Sequence, residues 1–295
     1  MKLYAPKYFK DFKCIADKCD HSCCVGWEID IDKNTLKKYK KLRSDYGAVI
    51  ANSISMKGTP HFKLGDSDRC PHLDERGLCK IIVNMGEEYL CDICREHPRF
   101  YNYTSIAEVG IGMSCPEAAR IILSSPHYAQ QEEIGEVSAK PDGIDFDGRA
   151  HRSEIYGILN DCADYKAALG TIYSKYSVDI GHDNQWLEIL DSLEYLDPAH
   201  KNLFTQYSST HRPKEKGTDE YLERFLAYLV YRHCTEAFDE DDFSVRLAFC
   251  LFCERLLASL ICSEKAESLQ EVAALARIIS EEIEYSDDNT SALML

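Results

Sequence analysis

Apolar residues recur with a helical period through the second half of the chain and lose that regularity in the first. Residues three or four apart fall on one helix face, because a helix turns once in about 3.6 residues. Ile155, Leu159, Cys162 and Tyr165 keep that spacing. Trp186, Leu187, Leu190 and Leu193 repeat it, and Asp197-Pro198 closes that segment. A further helix is predicted over 219–236, from Asp219-Glu220-Tyr221 onward, with Leu222, Phe225, Leu226, Leu229 and Val230 on its inner face. Residues 243–262 are apolar on most sides, as in a central buried helix. Residues 268–284 complete the set with Leu269, Val272, Leu275, Ile278, Ile279 and Ile283.

Before residue 120 the predicted elements are short and turn signals are frequent. Ser124-Ser125-Pro126, Pro141-Asp142-Gly143 and Asp145-Phe146-Asp147-Gly148 punctuate the stretch that follows. The pattern therefore divides the chain into a module over 1–120, a connecting segment over 121–150, a helical domain over 151–285 and a frayed tail over 286–295. The expected fold is mainly α, with an irregular, cysteine-rich N-terminal metal module of short elements packed on a C-terminal helical bundle.

Composition sharpens this picture. Hydrophobic residues make up 45% of 295 and aromatics 11%, which is ample for a packed core. No apolar run approaches the roughly 18 residues of a transmembrane helix, so no membrane partner is expected. Met1-Lys2-Leu3-Tyr4-Ala5-Pro6-Lys7 carries charges where a signal peptide needs an apolar stretch, which predicts a cytoplasmic protein. Charge is uneven. Residues 1–120 hold 19 Lys+Arg and 17 Asp+Glu, whereas the remainder holds 15 and 33, giving the net −16. Such an acidic chain lacks the basic patches that phosphate contacts require, so nucleic acid is not an expected partner.

The cysteines change the reading most. There are 14, a high number for a reducing compartment, where metal ligation or redox chemistry is a better explanation than disulfides. Nine fall in the first 115 residues: Cys14, Cys19, Cys23, Cys24, Cys70, Cys79, Cys91, Cys94 and Cys115. Cys91-x2-Cys94 has the spacing that lets a short turn bring two thiolates to one metal. The adjacent Cys23-Cys24 is different, because neighbouring side chains diverge by about 100° in a helix and about 180° in a strand. Those two sulfurs are not expected to share one small ion. Nine thiols suit two four-ligand sites with one left over, or one site with several extras, and His21, His72 or His97 can replace a thiolate. Zinc and iron–sulfur sites use the same tetrathiolate ligands, so spacing leaves both open. The radical-type Cys-x3-Cys-x2-Cys triad is absent.

These residues resemble a known family. Cys14-x4-Cys19-x3-Cys23-Cys24, Cys70-Pro71-His72-Leu73 running to Gly77-Leu78-Cys79, and Leu90-Cys91-Asp92-Ile93-Cys94-Arg95-Glu96-His97-Pro98-Arg99-Phe100-Tyr101 look like the FliB-type flagellin lysine-N-methylases. Tyr4-Ala5-Pro6-Lys7-Tyr8 fits as well, and Tyr228-Leu229-Val230-Tyr231-Arg232-His233 is a weaker match. The middle part is also similar to small cysteine-cluster proteins described as zinc- or iron-chelating. The resemblance implies methyl transfer from S-adenosylmethionine to lysine side chains of flagellin, with a [4Fe–4S] cluster in the cysteine-rich part. The chain is short for that family.

The acceptor lysine must be neutral to attack, and a nearby side chain must take its proton. His97, Tyr101 and Tyr103 follow the Cys-x2-Cys pair and are the catalytic candidates; Arg95 and Arg99 are candidates for a cofactor carboxylate. Packing around the module and surface ion pairs are the plainer readings of the same residues. Gly110-Ile111-Gly112 lacks the third glycine and the strand–helix frame of a nucleotide-binding loop, and reads as a turn or buried strand. Cys250-x2-Cys253 lies in a strongly apolar helix and reads as core packing, as do Cys162, Cys234 and Cys262. Tyr228, Tyr231 and His233 read mainly as packing between helices. The expected function is thus a cluster-dependent protein-lysine methyltransferase; the alternative is a non-enzymatic zinc- or iron-binding adaptor or sensor whose helical part docks a partner.

Overall fold

The computed structural model describes residues 1–19, 21–26, 28–141, 143–213 and 216–294. The protein is 56% helical, with 13 α-helices and a small sheet among the described residues. The chain forms two compact units, one of residues 13–99 and one of residues 1–12 with 100–295.

The boundary differs from the one composition suggests, and strand pairing explains why. Strand Lys2–Pro6 runs parallel to Ala107–Ile111, with Leu3 opposite Ala107, and antiparallel to Gln131–Glu136, with Ala5 opposite Glu132. Arg99–Tyr103 lies outermost, beside Ala107–Ile111. The first residues of the chain therefore belong with the helical unit, and 121–150 contributes a strand rather than only a connection. Gly110 sits inside a buried strand, where a Cβ would come within 2.3 Å of the Phe100 ring. Its role is close packing.

The helices of this unit follow the apolar period, but local caps set their ends. Gly148–Asp161 buries Ile155 and Leu159 and stops at Cys162; Asp164 then caps a second helix, Tyr165–Tyr176, by accepting from the Ala167 amide at 2.8 Å. One predicted face is thus two helices, because a side-chain cap satisfies the free amides of a new helix start. Asp197-Pro198 begins the helix Pro198–Phe204, with proline in its first turn, whereas the helix Asp183–Ser192 has already ended at Leu193. Lys216–His233 and the largely buried Glu240–Glu264 form the centre, where Trp186 stacks on Phe252 with ring centroids 3.7 Å apart. Leu269–Ile279 starts at Ser268 with a capping box closed by Glu271 and runs into the π-helical turn Ser280–Glu284. Residues 286–295 include the helix Asp287–Leu293, which buries Asn289 and Leu293.

Residues 13–99 are built from short pieces: the helices Lys33–Lys41, Asp45–Ser53, Lys80–Met85 and Asp92–Glu96, and the two-residue strands Ile54–Ser55 and His61–Phe62. Their core is small. Ile29, Ile31, Tyr39, Ile50, Phe62, Leu73 and Ile81 pack together with the buried Cys70 and Cys91.

Candidate metal centre

Four segments of the 13–99 unit bring thiols together. Residues 23–24 lie in a turn, and the amide of Cys70 donates to the Cys24 carbonyl at 2.8 Å. A bridge between Val25 and Arg69 continues this pairing; Gly26, at φ +92°, takes the left-handed backbone that the turn requires. The loop from Cys70 to Cys79 closes on Asp74, whose carboxylate accepts from the amides of Arg76 and Leu78 at 2.9 and 2.8 Å. The Leu78 amide, with further help from Arg76, holds the Asp74 carboxyl below its usual range. A bridge between Leu73 and Cys79 returns the chain beside Cys70. Cys79 and Cys91 stand at the N-caps of Lys80–Met85 and Asp92–Glu96, and Cys94 follows one turn after Cys91.

Cys23, Cys24, Cys70, Cys79, Cys91 and Cys94 perturb one another electrostatically. Burial pushes Cys70 up to about 11, with Cys79 and Cys91 adding to the effect against a hydrogen bond from the His72 amide. Burial also raises Cys79, against the amides of Ile82 and Ile81. Cys23 is lowered to about 7, chiefly by a hydrogen bond from Cys24 and with help from His21. Cys91 is lowered by Cys94 and then by Tyr39, while the donors Cys24 and Cys94 are raised. The adjacent Cys23 and Cys24 sulfurs do meet, contrary to the divergence expected of neighbours, because the turn is neither helix nor strand.

The surrounding polar groups are committed. His72 is fully buried, and its two nitrogens lie 3.0 Å from Tyr46 Oη and 2.9 Å from Ser53 Oγ. Burial lowers its pKa to about 4, which keeps the imidazole neutral between these two hydroxyls. Asp32 caps Lys33–Lys41 through the amides of Asn34 and Thr35, at 3.0 and 2.9 Å, and its other oxygen accepts from the Asp92 amide at 3.0 Å. One carboxylate therefore joins that helix to the Cys91-x2-Cys94 turn. Asp32 followed by a helical run is a readable cap signal; its second bond, across 60 residues, is not.

The remaining sequence candidates are distributed. Cys14 is exposed and Cys19 half-buried after the turn Ala16–Lys18. Cys115 belongs to the other unit, at the N-cap of Pro116–Ser124. His97 lies in the 13–99 unit, whereas Tyr101 and Tyr103 lie in the other, stacked 6.1 Å apart on one face of their strand. Arg95 pairs with Asp92, and Arg99 donates to the Arg95 carbonyl at 3.4 Å. Cys250 and Cys253 are fully buried, as expected of core thiols.

In the helical unit, Tyr228 and His233 do more than pack. Tyr228 donates to Glu284 at 2.8 Å, accepts from Arg232 at 2.9 Å, and receives the Met113 amide at 3.2 Å; His233 Nε2 is 2.7 Å from Glu284. Against the cost of burial, Arg232 and His233 hold the Glu284 carboxyl down to about 2. Burial dominates at His233 itself and lowers its pKa. No apolar period signals Glu284, which the π-helical turn delivers.

A mainly helical protein whose 13–99 unit carries cysteines on short elements is the class that the fold defines. The chain belongs to the family of the FliB-type lysine-N-methylases and the related FliU. It is 31% identical over 129 residues to the flagellar biosynthetic protein FliU of Salmonella muenchen, covering 41% of this chain and 76% of that protein. It is equally similar, over 129 residues, to the lysine-N-methylases of Salmonella choleraesuis and Salmonella typhimurium, but spans only 32% of their length. No protein-family model matches the chain. No solved structure matches it. No described helix is long and apolar enough to cross a membrane.

Proposed function

We propose that this chain methylates lysine side chains of flagellin with S-adenosylmethionine as donor, and that the thiols of the 13–99 unit hold a [4Fe–4S] cluster. The convergence of Cys23, Cys24, Cys70, Cys79, Cys91 and Cys94, in a chain related to lysine-N-methylases, carries this reading. Six thiols gathered around a small core, two of them buried in it, need cationic charge to exist together as thiolates, and a metal centre provides it.

When bound, the cluster supplies an iron able to take a further ligand or exchange an electron. The chain's part is to hold the thiols and exclude water: His72 with Tyr46 and Ser53 buttresses the Cys70 loop, and Asp32 fixes the Cys91 turn. In the transfer, the lysine nitrogen lone pair attacks the methyl carbon, the methyl–sulfur bond breaks, and S-adenosylhomocysteine leaves. The proton lost from nitrogen passes to a base, for which His97, Tyr101 and Tyr103 are the candidates; Arg95 and Arg99 are those for the cofactor carboxylate. Anaerobic purification with iron and sulfide analysis, followed by label transfer from S-adenosylmethionine to flagellin, tests the proposal. A brown protein with about four irons per chain that methylates flagellin is expected. Full methylation by a metal-free Cys79→Ala variant overturns a role for the cluster.

A second reading draws on the FliU relative. The chain spans 76% of FliU but 32% of the methylases. In that reading it is a metal-binding adaptor in flagellar assembly, and a cluster-loaded protein that binds flagellin without binding S-adenosylmethionine identifies it.

A further inference from the structure

Tyr39 is buried, on the inner face of Lys33–Lys41, and its hydroxyl meets two groups. It donates to the Tyr89 carbonyl at 2.6 Å and lies 3.7 Å from Cys91 Sγ. With Cys91 a thiol, the pattern closes: S–H gives to the phenol oxygen, and O–H gives to the carbonyl. A ligating sulfur has no proton. Phenol oxygen and thiolate would then face each other with lone pairs only, unless the O–H turns toward sulfur. The other thiol that donates to Cys91 is Cys94, which gives up its own proton when it ligates.

Resting on the iron–sulfur reading above, we propose that Tyr39 is the positioning residue that donates a hydrogen bond to the Cys91 sulfur of the loaded centre and so sets its electron affinity. The side chain is held for this purpose. Asp32 ties the start of its helix to the amide of Asp92, Lys38 Nζ reaches the Glu88 carbonyl at 3.1 Å, and the Tyr39 ring packs on Phe62 at 6.1 Å. Both ends of the hydroxyl's choice, Tyr89 and Cys91, are therefore within reach of a fixed ring. A donor to a cluster sulfur stabilises the more electron-rich, reduced form.

The test is a potentiometric titration with dithionite of the full-length, cluster-loaded protein, read from its visible spectrum, beside iron and sulfide analysis. Tyr39→Phe is expected to keep its iron and sulfide and to lower the reduced-to-oxidised ratio at fixed potential about tenfold, equivalent to about 59 mV for one electron. Replacing Tyr39 by 3-fluorotyrosine, a stronger donor of the same shape, is expected to move the midpoint the other way. If Tyr39→Phe does not load, the fluorotyrosine protein decides alone: a raised midpoint supports the assignment and an unchanged or lowered one overturns it. A brown wild type whose midpoint ignores both substitutions overturns the Tyr39 assignment only. A colourless wild type with stoichiometric zinc overturns the iron–sulfur reading itself.

Discussion

The two units solve the same problem of burial in opposite ways. The main apolar cluster of the helical unit holds fifty buried residues among those described, with most of the helix Glu240–Glu264 packed inside. The 13–99 unit buries ten among those described, and two of these are Cys70 and Cys91. Small cores rarely hold a domain without a metal or a cross-link. The comparison teaches that thiols in one unit are structural sulfur in an oily core, as at Cys250 and Cys253, while in the other, two are buried in a small core and Cys24, Cys79 and Cys94 lie half-buried against it.

On the proposed metal-bound reading, the largest break in that comparison comes from removing metal. Chelation, or Cys79→Ala, is expected to unfold residues 13–99 and spare the helical unit, since a structural metal contributes on the order of 10 kcal/mol. Hydrogen exchange resolved by peptide measures it; equal protection in both units before and after chelation contradicts the idea. The reverse experiment is Phe252→Ala, which removes the partner of Trp186 and is expected to cost the helical unit about 3–5 kcal/mol while leaving metal content unchanged. Denaturant melts with metal analysis check both halves. Asp32→Ala removes a helix cap and is expected to cost about 1 kcal/mol, felt in the 13–99 unit alone.

Acid gives the mildest contrast. Glu284 has its pKa lowered to about 2 in the folded protein, so its contribution is complete above the ordinary value of 4.5 and fades as pH falls toward 2. His233, lowered from 6.5, adds a contribution that fades as pH drops below that value. Stability of the helical unit should therefore decline gradually into acid, and Glu284→Gln should flatten the slope between pH 4.5 and 2. An unchanged slope in that variant would place the acid sensitivity elsewhere.

The sequence by itself determined the mainly helical class, the buried character of 243–262, the packing of Cys250 and Cys253, and the membership announced by the spacing of Cys70, Cys79, Cys91 and Cys94. Those features are local: a period of 3.6, a two-residue gap, a turn residue. Only the tertiary structure decided that Met1–Phe12 joins the helical unit, because strand partners 100 residues away carry no mark in the strand itself. It alone decided that Cys162 ends a helix, where caps outweighed the apolar face. The same holds for the groups around the thiols. Asp32, Tyr39 and His72 are ordinary residues in the sequence, and their roles arise from hydrogen bonds to Asp92, Cys91, Tyr46 and Ser53 that only the fold brings within reach.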